Sequence, residues 1–111
     1  MALHASDVTV SDVTVVGHFT IDTVHLPSHR RPFTILGGAA AYVSLAARQL
    51  GAAVSVISKV GGDFPEAYMW WLGAEGIDLS SVTKCADEQT TRFKLEYSSD
   101  LAGRTLKLTS K

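Results

Sequence analysis

Two adjacent glycines, Gly37 and Gly38, stand directly ahead of an alanine-rich segment that continues to Leu50 and Gly51. A helix starting there presents backbone N–H groups and the positive end of its dipole. Glycines at that point let a ligand approach the main chain, because no Cβ stands in the way. The chemistry on offer is the holding of a small polar molecule. The same residues also serve a plain strand-to-helix turn that needs glycine dihedrals, and taken alone they leave both readings open.

Other reactive residue types give little. His25 and His29 are four apart, but Pro27 between them rules out the helical pair that binds zinc, so they read as solvated loop residues. Cys85 is alone, has no identifiable base and reads as a small core residue. Asp63 and Glu66 have capping-box spacing, with Pro65 in the first turn of the helix they would open. Trp70 and Trp71 are adjacent and point to different faces, one toward the core and the other partly exposed. Gly-Gly pairs occur without a following Gly-Lys-Ser/Thr, and no dinucleotide fingerprint is present.

The elements that must position these residues are of two kinds. Residues 13–17 and 53–58 are continuous, β-branched apolar runs joined through helices, the signature of a buried parallel α/β core. Residues 18–26, 33–36, 91–97 and 104–109 alternate, as strands with one wet face do, and the last two read as a hairpin turning through 98–103. A helix is expected from Ala40 to Leu50, its apolar stripe formed by Tyr42, Val43, Ala46, Ala47 and Leu50, with Gly51 as its stop. A second follows Gly61-Gly62-Asp63 and ends near Gly76, leading to a short strand near Val82 and Thr83. A one-sided sheet beside an α/β core reads as a lid or a dimer surface. The tandem Ser-Asp-Val-Thr-Val at 6–10 and 11–15 is too short for a structural repeat, and residues 1–12 read as an extension.

Composition sets the outer limits. The chain has 111 residues, 46% hydrophobic and 19% charged, enough for one modest core. A net charge of -1 gives no reason to expect nucleic acid or an anionic membrane surface as a partner. No apolar run is long enough to cross a bilayer. Residues 1–12 lack the basic start and apolar core of a signal peptide, and one cysteine permits no intrachain disulfide. A cytoplasmic setting is therefore expected.

In this order and spacing the chain resembles the ribokinase-like, or PfkB, carbohydrate kinases. Gly37, Gly38, Ala40, Ser44, Gly51 and Gly61 fall at positions of that family's N-terminal signature. Tyr42 departs from it, standing where the pattern has asparagine. The run from Val16 through Gly17, His18, Phe19, Thr20 and Ile21 to Asp22 looks like the family's first strand, and Asp22 falls at its substrate-binding aspartate. Gly61-Gly62-Asp63 is similar to its Gly-x-Asp turn, Ala74-Glu75-Gly76-Ile77-Asp78 to its helix exit, and residues 90–97 to its lid return.

The resemblance implies an α/β fold, the N-terminal part of a ribokinase-like αβα domain, with residues 13–111 forming the core and lid strands at about 18–36 and 90–110. It implies that Asp22 accepts hydrogen bonds from hydroxyls of a sugar or polyol, flanked by Thr20 and His18, with Gly37 and Gly38 close to the same substrate. Tyr42 would offer one hydroxyl and a ring in place of an amide; the Gly-Gly-Ala-Ala start is similar to the inositol kinase branch, and a ring at Tyr42 suits stacking on a nucleoside base. A sugar or polyol is the substrate expected. ATP and Mg²⁺ are implied for the complete enzyme, but the family's Gly-Ala-Gly-Asp motif with its catalytic base is not among these residues, so no catalytic or metal-binding residue is assigned. The isolated chain is expected to lack kinase activity. The alternatives are a nucleoside kinase fragment and a non-catalytic module that binds or assembles, with a homodimer formed through the lid strands.

Overall fold

The structure, a computed structural model, describes residues 10–97 and 104–110. The first copy of the tandem pentapeptide, save Val10, and the hairpin turn at 98–103 lie outside the described residues. Seven strands and two helices follow one another as β1 (Val13–Val16), β2 (Thr20–His25), β3 (Phe33–Gly37), α1 (Ala39–Gln49), β4 (Val54–Gly61), α2 (Glu66–Ala74), β5 (Ile77–Cys85), β6 (Arg92–Tyr97) and β7 (Arg104–Ser110). They form two sheets. One is parallel, ordered β1-β4-β5; the other is mixed, ordered β3-β2-β6-β7, with β2 parallel to β6 and antiparallel neighbours outside them. The two classes of β pattern therefore separate into two sheets, an α/β core and a lid.

Three stretches of chain cross from one sheet to the other: residues 17–19 between β1 and β2, Gly38 between β3 and α1, and residues 86–91 between β5 and β6. Phe19, 1% exposed, anchors the first crossing and packs on Phe64, ring centroids 5.8 Å apart. Phe64 in turn meets Tyr68 edge-on at 5.7 Å. The core joins these aromatics to Val15, Val54, Val56, Val60 and Ile77 of the parallel sheet, Ala40 and Ala41 of α1, and Leu72 of α2.

Several expectations are corrected. The core strands are not buried on both faces: Val15 and Val56 are buried, but Val16 is 76% and Ile57 47% exposed. Strand alternation puts these pairs on opposite faces, and among the described residues the helices cover one of them. The buried stripe of α1 consists of Ala40, Ala41 and Ser44, whereas Tyr42, Val43, Ala46 and Leu50 are exposed. Small side chains let the helix lie close to the sheet, and Ser44 is tolerated there because its Oγ donates to the Ala41 carbonyl at 3.1 Å. In so alanine-rich a segment, apolar period alone does not phase the helix.

Neither Trp70 nor Trp71 enters the core; both are exposed, and Leu72 fills the contact instead. Strand β5 runs over nine residues, because β4 supplies a parallel ladder for polar Asp78, Ser81 and Thr83 as well. The capping box does not form. Pro65 is the N-cap of α2, Glu66 pairs with Lys84, and the Asp63 carboxylate faces the start of β6. Strands β6 and β7 form the expected antiparallel pair. Asp12 is tied to the core: its amide donates to the Ala53 carbonyl and its carboxylate accepts from the Ala53 amide, both at 2.8 Å.

Candidate functional site

Where the crossings meet, the core and the lid enclose a cavity of about 900 Å³. Its core side is formed by Gly17, His18, Gly38 and Ala39 with Lys59, Val60 and Gly61; its lid side by Thr20, Thr90, Thr91, Phe93 and Leu108, with Glu88 and Gln89 in the crossing between β5 and β6. Thr20 opens β2 and faces Gly37 directly across the β2–β3 ladder. Its Oγ1 donates to Asp22 Oδ1 at 2.7 Å, and both residues are buried. The hydroxyl proton is thus committed, and the Thr20 oxygen is left as an acceptor toward the cavity.

Gly37 is what allows this pair to exist. A Cβ there would lie 2.1 Å from Asp22 Oδ2 and 2.7 Å from Thr20 Oγ1. Gly38 serves a different end. Its φ of +95° belongs to glycine, and a Cβ would lie 2.4 Å from the His18 carbonyl oxygen. That carbonyl accepts from the Ala40 amide at 3.1 Å, which stitches the first crossing to the second. The Ala41 and Tyr42 amides bond to Gly38 O. The helix N-terminus is therefore less open than its sequence suggests, since these first-turn amides already have partners inside the chain.

Of the residues singled out in the sequence, His18, Thr20 and Gly38 line the cavity. Asp22 and Gly37 are not among the lining residues and are joined to the cavity through Thr20, by a hydrogen bond and by strand pairing respectively. Tyr42 is 57% exposed and is not among the lining residues. Residues that sequence reasoning passed over complete the site. Lys59 and Glu88 form an ion pair of 2.7 Å at its edge, and Glu88 raises the Lys59 pKa through that hydrogen bond and its charge. Thr91 and Phe93 could have been found from the alternation of 91–97, had the face toward the core been known. Thr90 opens the segment likened to the lid return, and its burial, 2% exposed, is set by the fold.

The crossing between β5 and β6 is tied to the core by a second carboxylate. Asp63 accepts from the Thr90 amide at 2.7 Å and from Arg92 Nε and Nη2 at 3.2 and 2.7 Å. Partial burial pulls its pKa upward, but the Thr90 and Arg92 donors outweigh that and hold it at about 2. Among the described residues no three His, Cys, Asp or Glu side chains gather closely enough to hold a metal ion, and Lys59, the one cation in the lining, is engaged by Glu88. These described residues do not fit a Mg²⁺–nucleotide. No helix among the described residues is long and apolar enough to cross a membrane.

Comparison with known proteins supports the same outline. Residues 10–108 match the family model described as pfkB family carbohydrate kinase. The chain is 37% identical to a cytidine kinase of Thermococcus kodakarensis, covering 80% of this chain and 31% of that protein. It is 39% identical to a nucleoside kinase of Methanothermobacter thermautotrophicus, covering 71% and 29%. Among solved structures it superposes on the Methanocaldococcus jannaschii nucleoside kinase, described as an archaeal member of the ribokinase family, with a TM-score of 0.73 at 24% identity over 86% of this chain and 35% of that one. An uncharacterized sugar kinase of Pyrococcus horikoshii in complex with ATP gives 0.71 at 26%, over 86% and 33%. The chain spans about a third of the length of the relatives it matches.

Proposed function

Because this chain belongs to the pfkB family of carbohydrate kinases, we propose that it forms the substrate-binding and lid portion of an ATP-dependent kinase that phosphorylates a hydroxyl of a sugar or polyol. The observation that carries this reading is Thr20 at the cavity wall, hydrogen-bonded to the buried Asp22 in the room left by Gly37. Thr20 accepts from a substrate hydroxyl while the Asp22 carboxylate polarises it through their hydrogen bond and takes a further hydroxyl that reaches past it. His18 and Gly38 border the same ligand. Tyr42 acts from the exposed face of α1, reached only by a ligand extending out of the cavity. Closure of the lid excludes water from the transferred group.

ATP and Mg²⁺ belong to the complete enzyme in this proposal, as do residues 13–111 as one partial domain after a 1–12 extension, a cytoplasmic setting, and a homodimer through the free lid edges at β3 and β7. The isolated chain binds substrate without phosphorylating it.

A nucleoside substrate is the second reading. It is favoured by the apolar lid wall of Phe93 and Leu108, suited to a base, and by the names of the two curated relatives. Titration calorimetry of the chain with ribose, myo-inositol and cytidine separates the two. Binding of ribose or inositol that is lost in Asp22→Asn supports the first reading. Binding of cytidine alone, weakened by Phe93→Ala, supports the second. Binding that ignores both substitutions refutes the site.

A further inference from the structure

The third crossing between core and lid carries its own fastening, in residues assigned neither to the substrate nor to a helix cap. Asp63 lies in the turn between β4 and α2, on the core side. Its carboxylate accepts the Thr90 amide with one oxygen and both Arg92 donors with the other. Thr90 is held a second time by the same turn, since its Oγ1 accepts the Gly61 amide at 2.9 Å. The backbones are in close approach there: a Cβ on Gly61 would lie 2.4 Å from the Thr90 nitrogen. The Gly62 amide, moreover, donates to the Glu88 carbonyl at 3.0 Å. The turn 61–63 thus grips the chain at residues 88, 90 and 92.

Strand alternation gives this grip a consequence for the cavity. Thr91 and Phe93 face the cavity, whereas Arg92 between them reaches Asp63. Whatever fixes Arg92 and Thr90 also fixes where the wall of Thr91 and Phe93 stands relative to His18 and Gly38. The Arg92 fork, two donors on one carboxylate oxygen, constrains direction as well as distance. We infer that Asp63 is a positioning residue, a latch that sets the angle between lid and core through Arg92 and Thr90 and so sets the opening of the ligand cavity. Only the last step, that the opening controls ligand entry, rests on the proposed function above.

The test reads lid orientation without any ligand. Spin labels are placed at Ala74→Cys, exposed at the end of α2, and Lys107→Cys, exposed on β7, in a Cys85→Ser background. Double electron–electron resonance then gives the core-to-lid distance distribution. Asp63→Asn and Arg92→Met are each expected to broaden it roughly twofold, as a freed hinge does, and the double variant to broaden it no further than either single. Arg92→Lys, which keeps the charge but loses the fork, falls between, and serves as the milder probe should a stronger variant not fold. Glu66→Gln, which breaks the surface ion pair with Lys84 between α2 and β5, leaves the distribution unchanged. Distributions for folded Asp63→Asn or Arg92→Lys that superimpose on the parent overturn the latch, as does equal broadening by Glu66→Gln. A chain that shows the latch but binds no sugar, polyol or nucleoside counts against the proposed substrate site alone.

Discussion

Replacing Gly37 by alanine tests the candidate site at its most constrained point. Gly37 has ordinary extended backbone, so the change introduces no dihedral strain; what it introduces is a methyl group 2.1 Å from Asp22 Oδ2 and 2.7 Å from Thr20 Oγ1. The carboxylate must swing away and leave its 2.7 Å hydrogen bond with Thr20, in a place where Asp22 is 7% exposed and water is scarce. Losing a buried hydrogen bond to a charged group costs about 1.5–3 kcal/mol. Alanine returns about 0.5 kcal/mol by restricting the unfolded chain. The expected net loss is about 1–2.5 kcal/mol, or roughly 5–15 °C in Tm for a chain of this size. Urea unfolding followed by circular dichroism measures it. A double-mutant cycle with Asp22→Ala identifies the cause. Without the carboxylate the methyl loses its closest contacts and still meets the Thr20 hydroxyl, which is free to turn, so the two losses should fall short of additivity by about 1 kcal/mol or more. A Gly37→Ala variant as stable as the parent, or losses that add, refutes the claim that Gly37 makes room for the Thr20–Asp22 pair.

Gly38→Ala should destabilise more than Gly51→Ala: both have φ near +90°, but a Cβ at Gly38 also meets the His18 carbonyl oxygen at 2.4 Å, whereas Gly51 has nothing within 4 Å; equal unfolding midpoints would contradict this. The Asp63 carboxyl, held at about 2 against an ordinary 3.8, favours the folded state fully above about pH 4, and that contribution is lost as pH falls through about 2. The acid limb of stability against pH should therefore be shallower in Asp63→Asn; an identical limb would show that Asp63 does not contribute to it. Both indoles should be reached by a soluble fluorescence quencher, because Trp70 and Trp71 are 76% and 42% exposed; one protected tryptophan would contradict the described orientation of α2. The chain incubated with ATP, Mg²⁺ and any of the three candidate substrates should release no ADP, and turnover would refute the division of labour proposed for it.

Local sequence separates the two kinds of strand, since alternating residues mark the lid strands and β-branched apolar runs joined through helices mark the core; it also carries the α/β class, the turn at Gly37-Gly38 and the antiparallel pair of β6 and β7. It determined that Thr20 and Asp22 share a face, since residues two apart on a strand must. What it could not determine is which face meets what. The buried side of α1 is Ala40, Ala41 and Ser44, because close packing on a sheet selects small side chains, and an alanine-rich helix has apolar residues all round. Asp63 reads as a cap from local spacing, yet tertiary structure delivers Thr90 and Arg92 to it from 27 and 29 residues away. Lys59, Glu88 and Phe93 join the cavity for the same reason. Local sequence fixes the backbone's short-range preferences; partners that arrive across a crossing between sheets are chosen by topology, and only the folded chain records them.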